Sequence, residues 1–183
     1  MEIRYFGRNK IYLQGKKEGV WINPEKSDLE QKQKPARIVI FTKKEANFIT
    51  LGEEGERVII TGAGEYEIGG VEINGINGMY SLMIDKVKVL LTGRQEGELS
   101  EKKKEKLEEA DVLLVCINEK AIELAKGTAA NYIIPVDFEE NETEFHKFMD
   151  EFDKEDLVAI DSLKVDSDNL PEGKEVILLK SQA

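Results

Sequence analysis

Short apolar runs separated by turn-forming residues set the rhythm of the first half of the chain. Residues 3–5, 10–14, 19–22, 37–41 and 57–60 are rich in β-branched and aromatic side chains, with Gly and Pro between them, a pattern that predicts short strands. Segment 27–35 contains a single apolar residue, Leu29, and predicts an exposed connection. The glycine-bounded stretch 69–75 predicts a strand between turns. Two apolar runs, 80–84 and 87–91, flank Asp85-Lys86, which predicts a two-residue hairpin.

The second half changes period. Ser100 stands where it can cap a helix running through Glu109. The unbroken run Val112-Leu113-Leu114-Val115-Cys116-Ile117 predicts a strand buried on both faces, as in parallel sheets. Asn118 stands ready to cap a helix over 121–126 that Gly127 would stop, and 132–135 predicts a further strand. Asn141 and Glu144 have capping-box spacing, and Phe145, Phe148, Met149 and Phe152 repeat at i, i+3, i+4 and i+7, the buried face of an amphipathic helix. His146 sits beside that face. Residues 175–179 predict a last strand. No repeat of solenoid or propeller spacing is present.

Length, charge and two rare residues then narrow the function. A chain of 183 residues suits one domain, 1–183, with a substantial core. No apolar run approaches the roughly 20 residues that span a bilayer, so the expected compartment is the cytoplasm, with no membrane partner. A formal charge of −11 repels a phosphate backbone and argues against nucleic acid as a partner. One Cys cannot close an intramolecular disulfide, and one His cannot build a His-rich zinc site.

Other candidate chemistry reduces to packing or solvation. Gly62-Ala63-Gly64 lacks the P-loop pattern and is followed by Glu65 and Glu67, which would repel phosphate, so a tight turn is expected. Cys116 lies among aliphatic residues, as a packed thiol does. Lys102, Lys103, Lys104 and Lys106 alternate with glutamates, as on a solvated helix face. None of Ser81, Ser100, Ser162, Ser167 and Ser181 sits in a G-x-S-x-G elbow.

The order of elements resembles the metallo-β-lactamase fold superfamily, in its small prokaryotic Zn-dependent hydrolase-like branch. The peptide Thr61-Gly62-Ala63-Gly64-Glu65-Tyr66-Glu67-Ile68-Gly69-Gly70-Val71 is similar to a G-P-G-E-Y-E-x-x-G-V stretch of that branch. Trp21-Ile22-Asn23-Pro24 resembles a pattern usually ending Asp-Pro, and Leu170-Pro171-Glu172-Gly173 resembles the entry to the closing strand. The fold implied is α/β, an αββα sandwich of two mixed β-sheets with outer helices.

The resemblance also implies where metal ligands should stand, and other residues stand there. In the strand-exit motif H-x-H-x-D-H, Lys43, Glu45, Asn47 and Phe48 occupy the ligand positions. Leu91 and Arg94 replace the His and Asp of H-x-G-D, Asp137 replaces the last His, and Asn23 replaces an outer Asp. The loop between Ile76 and Tyr80 is too short to carry a further His. Zinc needs converging imidazole, thiolate or carboxylate donors and an open position for water, whereas Lys43 and Arg94 bring positive charge. The implied function is a catalytically inactive, metal-free protein with no cofactor, acting as a binding or scaffold module beside a protein partner or in a homo-oligomer. Lys43, Glu45, Asn47, Arg94 and Asp137 would line its residual pocket, with Lys43 or Arg94 paired to Glu45 or Asp137. The alternative is a divergent hydrolase, holding an oxygen-preferring metal on Glu45, Asn47 and Asp137 or acting without metal in the same cleft.

Overall fold

The computed structural model describes residues 1–30, 36–43, 57–95, 97–139 and 142–182. Among the described residues, thirteen strands and four helices follow in the order β1 (Glu2–Tyr5), β2 (Ile11–Gln14), β3 (Gly19–Ile22), α1 (Lys26–Leu29), β4 (Ile38–Ile40), β5 (Val58–Ile60), β6 (Gly64–Ile68), β7 (Val71–Ile76), β8 (Met79–Ile84) and β9 (Val87–Leu91). The chain continues through α2 (Glu101–Glu109), β10 (Val112–Cys116), α3 (Ala121–Gly127), β11 (Tyr132–Val136), α4 (Thr143–Glu151), β12 (Leu163–Lys164) and β13 (Glu175–Val176). Among the described residues, no helix is long and apolar enough to cross a membrane.

Two mixed sheets result. One has strand order β12-β1-β2-β3-β4-β5 and the other β13-β11-β10-β9-β8-β7-β6. In the first, β3, β4 and β5 run parallel; in the second, β9, β10, β11 and β13 do. The expected α/β sandwich of two mixed sheets is therefore present.

Alternation along the strands builds the layers. Val112, Leu114 and Cys116 of β10 enter the core between the sheets, with Ile3, Leu13, Val20, Ile38 and Ile40 of the facing sheet. Leu113 and Val115 point to the other face and meet Leu107, Leu124, Phe148 and Met149 of α2, α3 and α4. A strand covered on both sides has no polar face to show, which is why 112–117 reads as an unbroken apolar run. On the outer face of the first sheet Tyr12, Trp21 and Val39 pack with Phe6, Leu29, Ala36 and Phe41.

Several local expectations need correction. Segment 27–35 is not all exposed connection: Lys26–Leu29 is a helical turn that buries Asp28 and Leu29, and the Asp28 carboxylate accepts the Glu25 N–H at 2.8 Å. Residues 31–35 lie outside the described residues. Gly64 does not end a turn but opens β6, whose alternation of Glu65, Tyr66 and Glu67 is that of an edge strand with one solvated face. Ser100 occupies the N-cap of α2 without a side-chain capping bond; its carbonyl serves Lys103 and Lys104 N–H instead. Helix α4 is capped at Glu142, again without a side-chain bond, and Asn141 lies outside the described residues. Residues 175–179 form strand only at Glu175–Val176, and β12 was not expected at all.

Candidate functional site

The carboxyl ends of the parallel strands of both sheets meet at one end of the sandwich, where α/β proteins place ligands. Five exits converge there: Phe41, Thr42 and Lys43 after β4, Thr61 and Gly62 after β5, 92–95 after β9, Ile117 and Asn118 after β10, and Asp137 after β11. Hydrogen bonds stitch them together. Tyr80, buried in β8, directs its hydroxyl at the carbonyls of Phe41, 3.4 Å away, and Gly62, 3.3 Å away.

The turn between β7 and β8 is Asn77-Gly78, with φ of 44° and 82°, the signature of a tight type I′ hairpin. This pair is an Asn-Gly signal legible in the sequence and passed over there. The strands meet in two residues, consistent with the short loop expected between Ile76 and Tyr80. The same turn abuts Gly93, where a Cβ would come within 2.4 Å of Gly78 O, and Gly93 itself has φ of 60°. Only glycine fits that position without displacement.

Below the exits lies a layer of buried polar groups. The Thr92 hydroxyl donates to Gly93 O at 2.9 Å and accepts the Cys116 N–H at 3.3 Å. Gln95 donates to Thr92 O and accepts from Lys103 Nζ at 2.5 Å; Lys103 also reaches Asn77 O at 3.2 Å. Lys103 is thus not purely a solvated lysine of α2, and burial lowers its pKa. Cys116 is buried, as expected of a packed thiol. Burial first, then the nearby charge of Asp137, raises its pKa to about 12, while Arg94 and Lys43 pull the other way.

The candidate ligand positions can now be placed. Glu45, Asn47 and Phe48 lie outside the described residues. Lys43 is exposed at the exit of β4. Leu91 is fully buried in the core between the sheets. Arg94 and Asp137 come together: Arg94 Nε donates to Asp137 Oδ2 at 2.7 Å, with side-chain exposures of 43% and 18%. That hydrogen bond, outweighing partial burial, raises the guanidinium's pKa. Asp137 adopts φ of 56° and its N–H donates to Arg8 O at 2.5 Å, so the β1–β2 turn brings Arg8 to the same end. Tyr5 lies under this corner, its phenol raised in pKa mainly by burial, and Phe138 stacks between Tyr5 at 5.9 Å and Phe145 at 4.3 Å. Arg8 and Gln95 were not singled out from sequence, and Lys103 was read there as part of a solvated helix face; their roles arise from tertiary turns with no local motif.

Asn23, at the position of an outer Asp, is a structural tie. Its Oδ1 accepts Thr42 N–H at 2.8 Å, and its Nδ2 donates to Asn9 O at 3.1 Å. His146 is exposed on α4, the element that follows the Asp137 exit, where its ring meets Phe145 edge-on at 6.0 Å.

A zinc ion asks for three or four soft or carboxylate donors around one point. Of the described residues at ligand positions only Asp137 offers a donor atom, and a guanidinium is already on it. Among the described residues no group of three or more His, Cys, Asp or Glu is arranged to hold a metal ion. The described donor set does not fit zinc.

No family model matches the sequence, and no curated protein matches it. Solved structures do. A provisionally assigned Zn-dependent hydrolase of the metallo-β-lactamase superfamily from Thermotoga maritima is 22% identical, with a TM-score of 0.76 over 98% of each chain. A provisionally assigned metal-dependent hydrolase from Parabacteroides distasonis is 13% identical, with a TM-score of 0.65 over 97% of this chain and 93% of its own. A metallo-β-lactamase fold protein from Bacillus subtilis is 11% identical, with a TM-score of 0.61 over 98% of this chain and 96% of its own. At these identities the likeness speaks for architecture, and this chain carries the metallo-β-lactamase fold.

Proposed function

We propose that this protein is a metal-free, catalytically inactive metallo-β-lactamase-fold protein that acts as a binding or scaffold module. The observation that carries the reading is the Arg94–Asp137 ion pair at 2.7 Å. Asp137 stands at the strand exit where the fold's hydrolases would use a last ligand, and its Oδ2 lone pair is spent on a cation of fixed charge. A dication brought to that oxygen would meet the guanidinium at close range, and like charges a few ångströms apart repel strongly in a partly buried site. Leu91, fully buried and without a donor atom, removes a second ligand position.

The partner is another protein or a second copy of this chain, held on the scaffold of two sheets. Metal analysis of the purified protein by mass spectrometry, paired with affinity capture from native lysate and native mass spectrometry, tests this. The expected result is no stoichiometric metal and a defined assembly. Stoichiometric metal together with a hydrolase activity that a chelator abolishes would overturn it.

A further inference from the structure

We infer that the open edge of β6 is a docking line for an extended segment of another protein that alternates apolar and basic residues, an inference that rests on the binding-module reading and names its partner's chemistry. β5 and β6 end the two sheets and are joined by Thr61, Gly62 and Ala63 alone, so both outer edges run along one flank of the sandwich. Among the described residues β6 pairs with β7 and with no other strand. Which of its backbone groups are free follows from the hairpin. Gly69 and Gly70, with φ of 61° and 86°, are the two residues between the strands, and such a hairpin closes on a hydrogen-bonded pair, here Ile68 with Val71. Pairs then alternate along an antiparallel ladder. Tyr66 therefore bonds to Ile73, while the N–H and C=O of Glu65 and Glu67 point away from the sheet.

The side chains decide which strand fits. Tyr66 and Ile68 face inward and, with Val58 of β5, are only half-buried where the core between the sheets reaches this flank. An added strand with apolar residues on its inner face would cover them. Glu65 and Glu67 face outward with Glu72 of β7, and all three are exposed. Glu67 stands directly opposite Glu72, a like-charge pair that works against the hairpin. Glu65 accepts the neutral Asn74 amide at 3.3 Å. These carboxylates line a groove of about 450 Å³ with Lys88, Lys106 and Glu109, and both lysines pair with Glu109 instead. Four carboxylates against two lysines leave the groove negative, so basic side chains on the outer face of an added strand complement it. A second copy fits badly, since β6 laid against its own copy sets glutamates beside glutamates.

Fluorescence anisotropy with a labelled, end-blocked Lys-Val-Lys-Val-Lys-Val-Lys peptide, at an ionic strength of about 150 mM, tests the edge on full-length protein of measured metal content. One saturable site per chain is expected. Amide hydrogen exchange followed by NMR should find Glu65 and Glu67 unprotected in the protein alone and protected with the peptide, and Tyr66 protected in both. Glu67→Lys should weaken binding about tenfold, because it sets like charges together, and should admit a Glu-Val-Glu-Val-Glu-Val-Glu peptide that the parent protein rejects. Glu155→Lys, in the turn after α4, should change neither. A peptide N-methylated at every residue, which keeps its charge and loses its donors, should not bind. No saturable binding, equal binding of the N-methylated peptide or of a Lys-Lys-Lys-Lys-Val-Val-Val peptide, or Glu65 and Glu67 amides already protected in a dimer of the free protein would overturn the docking line and leave the metal-free reading standing. Stoichiometric metal with chelator-sensitive hydrolysis in the same samples would overturn the metal-free reading, whatever the peptide does.

Discussion

Asn23 Oδ1 accepts two hydrogen bonds from Thr42, from the backbone N–H at 2.8 Å and from the hydroxyl at 3.2 Å. They tie the end of β3 to the exit of β4, and Asn23 can make them because it sits at φ 49°, a left-handed conformation that Asn tolerates better than most residues. Asn23→Ala should destabilise the protein by about 2–3 kcal/mol, from lost hydrogen bonds and backbone strain. Asn23→Asp, which keeps the acceptor but loses the donor to Asn9, should cost about 1 kcal/mol. Urea unfolding of the two variants checks the order.

Gly93→Ala should be among the most damaging single-methyl additions. The new Cβ would lie 2.4 Å from Gly78 O at φ 60°, and backbone cannot yield as a side chain can. A loss of about 3 kcal/mol or more is expected. A thermal midpoint within two degrees of the parent protein would show that the turn is softer than its geometry implies.

Stability should fall on the alkaline side, and Cys116 should contribute. Its folded pKa is raised from 9.0 to about 12 by burial and by Asp137, so between those values the unfolded chain has released the thiol proton and the folded chain has not. The unfolded state then binds fewer protons and stability declines as pH rises, by slightly more than about 1 kcal/mol per pH unit for this group at most. The contribution is whole below the unfolded pKa and gone above the folded one. Cys116→Ala should flatten that slope in urea titrations at successive pH values. In the parent protein at pH 8, a thiol reagent such as dithionitrobenzoate should react only at the rate of unfolding.

Lys86→Gly should stabilise. Asp85 and Lys86 have φ of 51° and 66°, so both centres of this hairpin turn are left-handed, and Lys is poorly suited to the second. Asp85 must stay, because its carboxylate accepts Lys16 N–H at 2.9 Å. A gain of about 0.5–1 kcal/mol in urea unfolding is expected; a loss would place the Lys86 side chain in a contact that matters.

The sandwich was legible because its strands carry their environment in their sequence. Val112 to Cys116 is apolar throughout because both faces are covered, and Phe145, Phe148 and Met149 are spaced for one helix face that packs inward. What escaped was short or set by partners far along the chain. Lys26–Leu29 is a single turn whose burial of Leu29 depends on Trp21 and Val39 across the sheet, and Leu163–Lys164 is strand only because Glu2 and Ile3 lie beside it. At the site, ligand positions could be read by resemblance, and one of the four ion pairings then open, Arg94 with Asp137, is formed. The inward reach of Lys103 and the arrival of Arg8 could not be read, since neither follows from neighbours in sequence. Glu45 and Asn47 lie outside the described residues.

The pairing of β1 with β12 has a consequence for how the protein is made. Glu2 faces Lys164 and Ile3 faces Leu163, and the Ser162 hydroxyl donates to Glu2 at 2.6 Å. During synthesis β1 and β2 can form a hairpin at once, but the outer edge of β1 stays open until about 160 further residues have been translated. Completion of that sheet is therefore a late event that closes a very long loop, a topology that slows folding. Until then the nascent chain displays an unpaired strand edge, the kind of surface on which chaperones and misassembly compete.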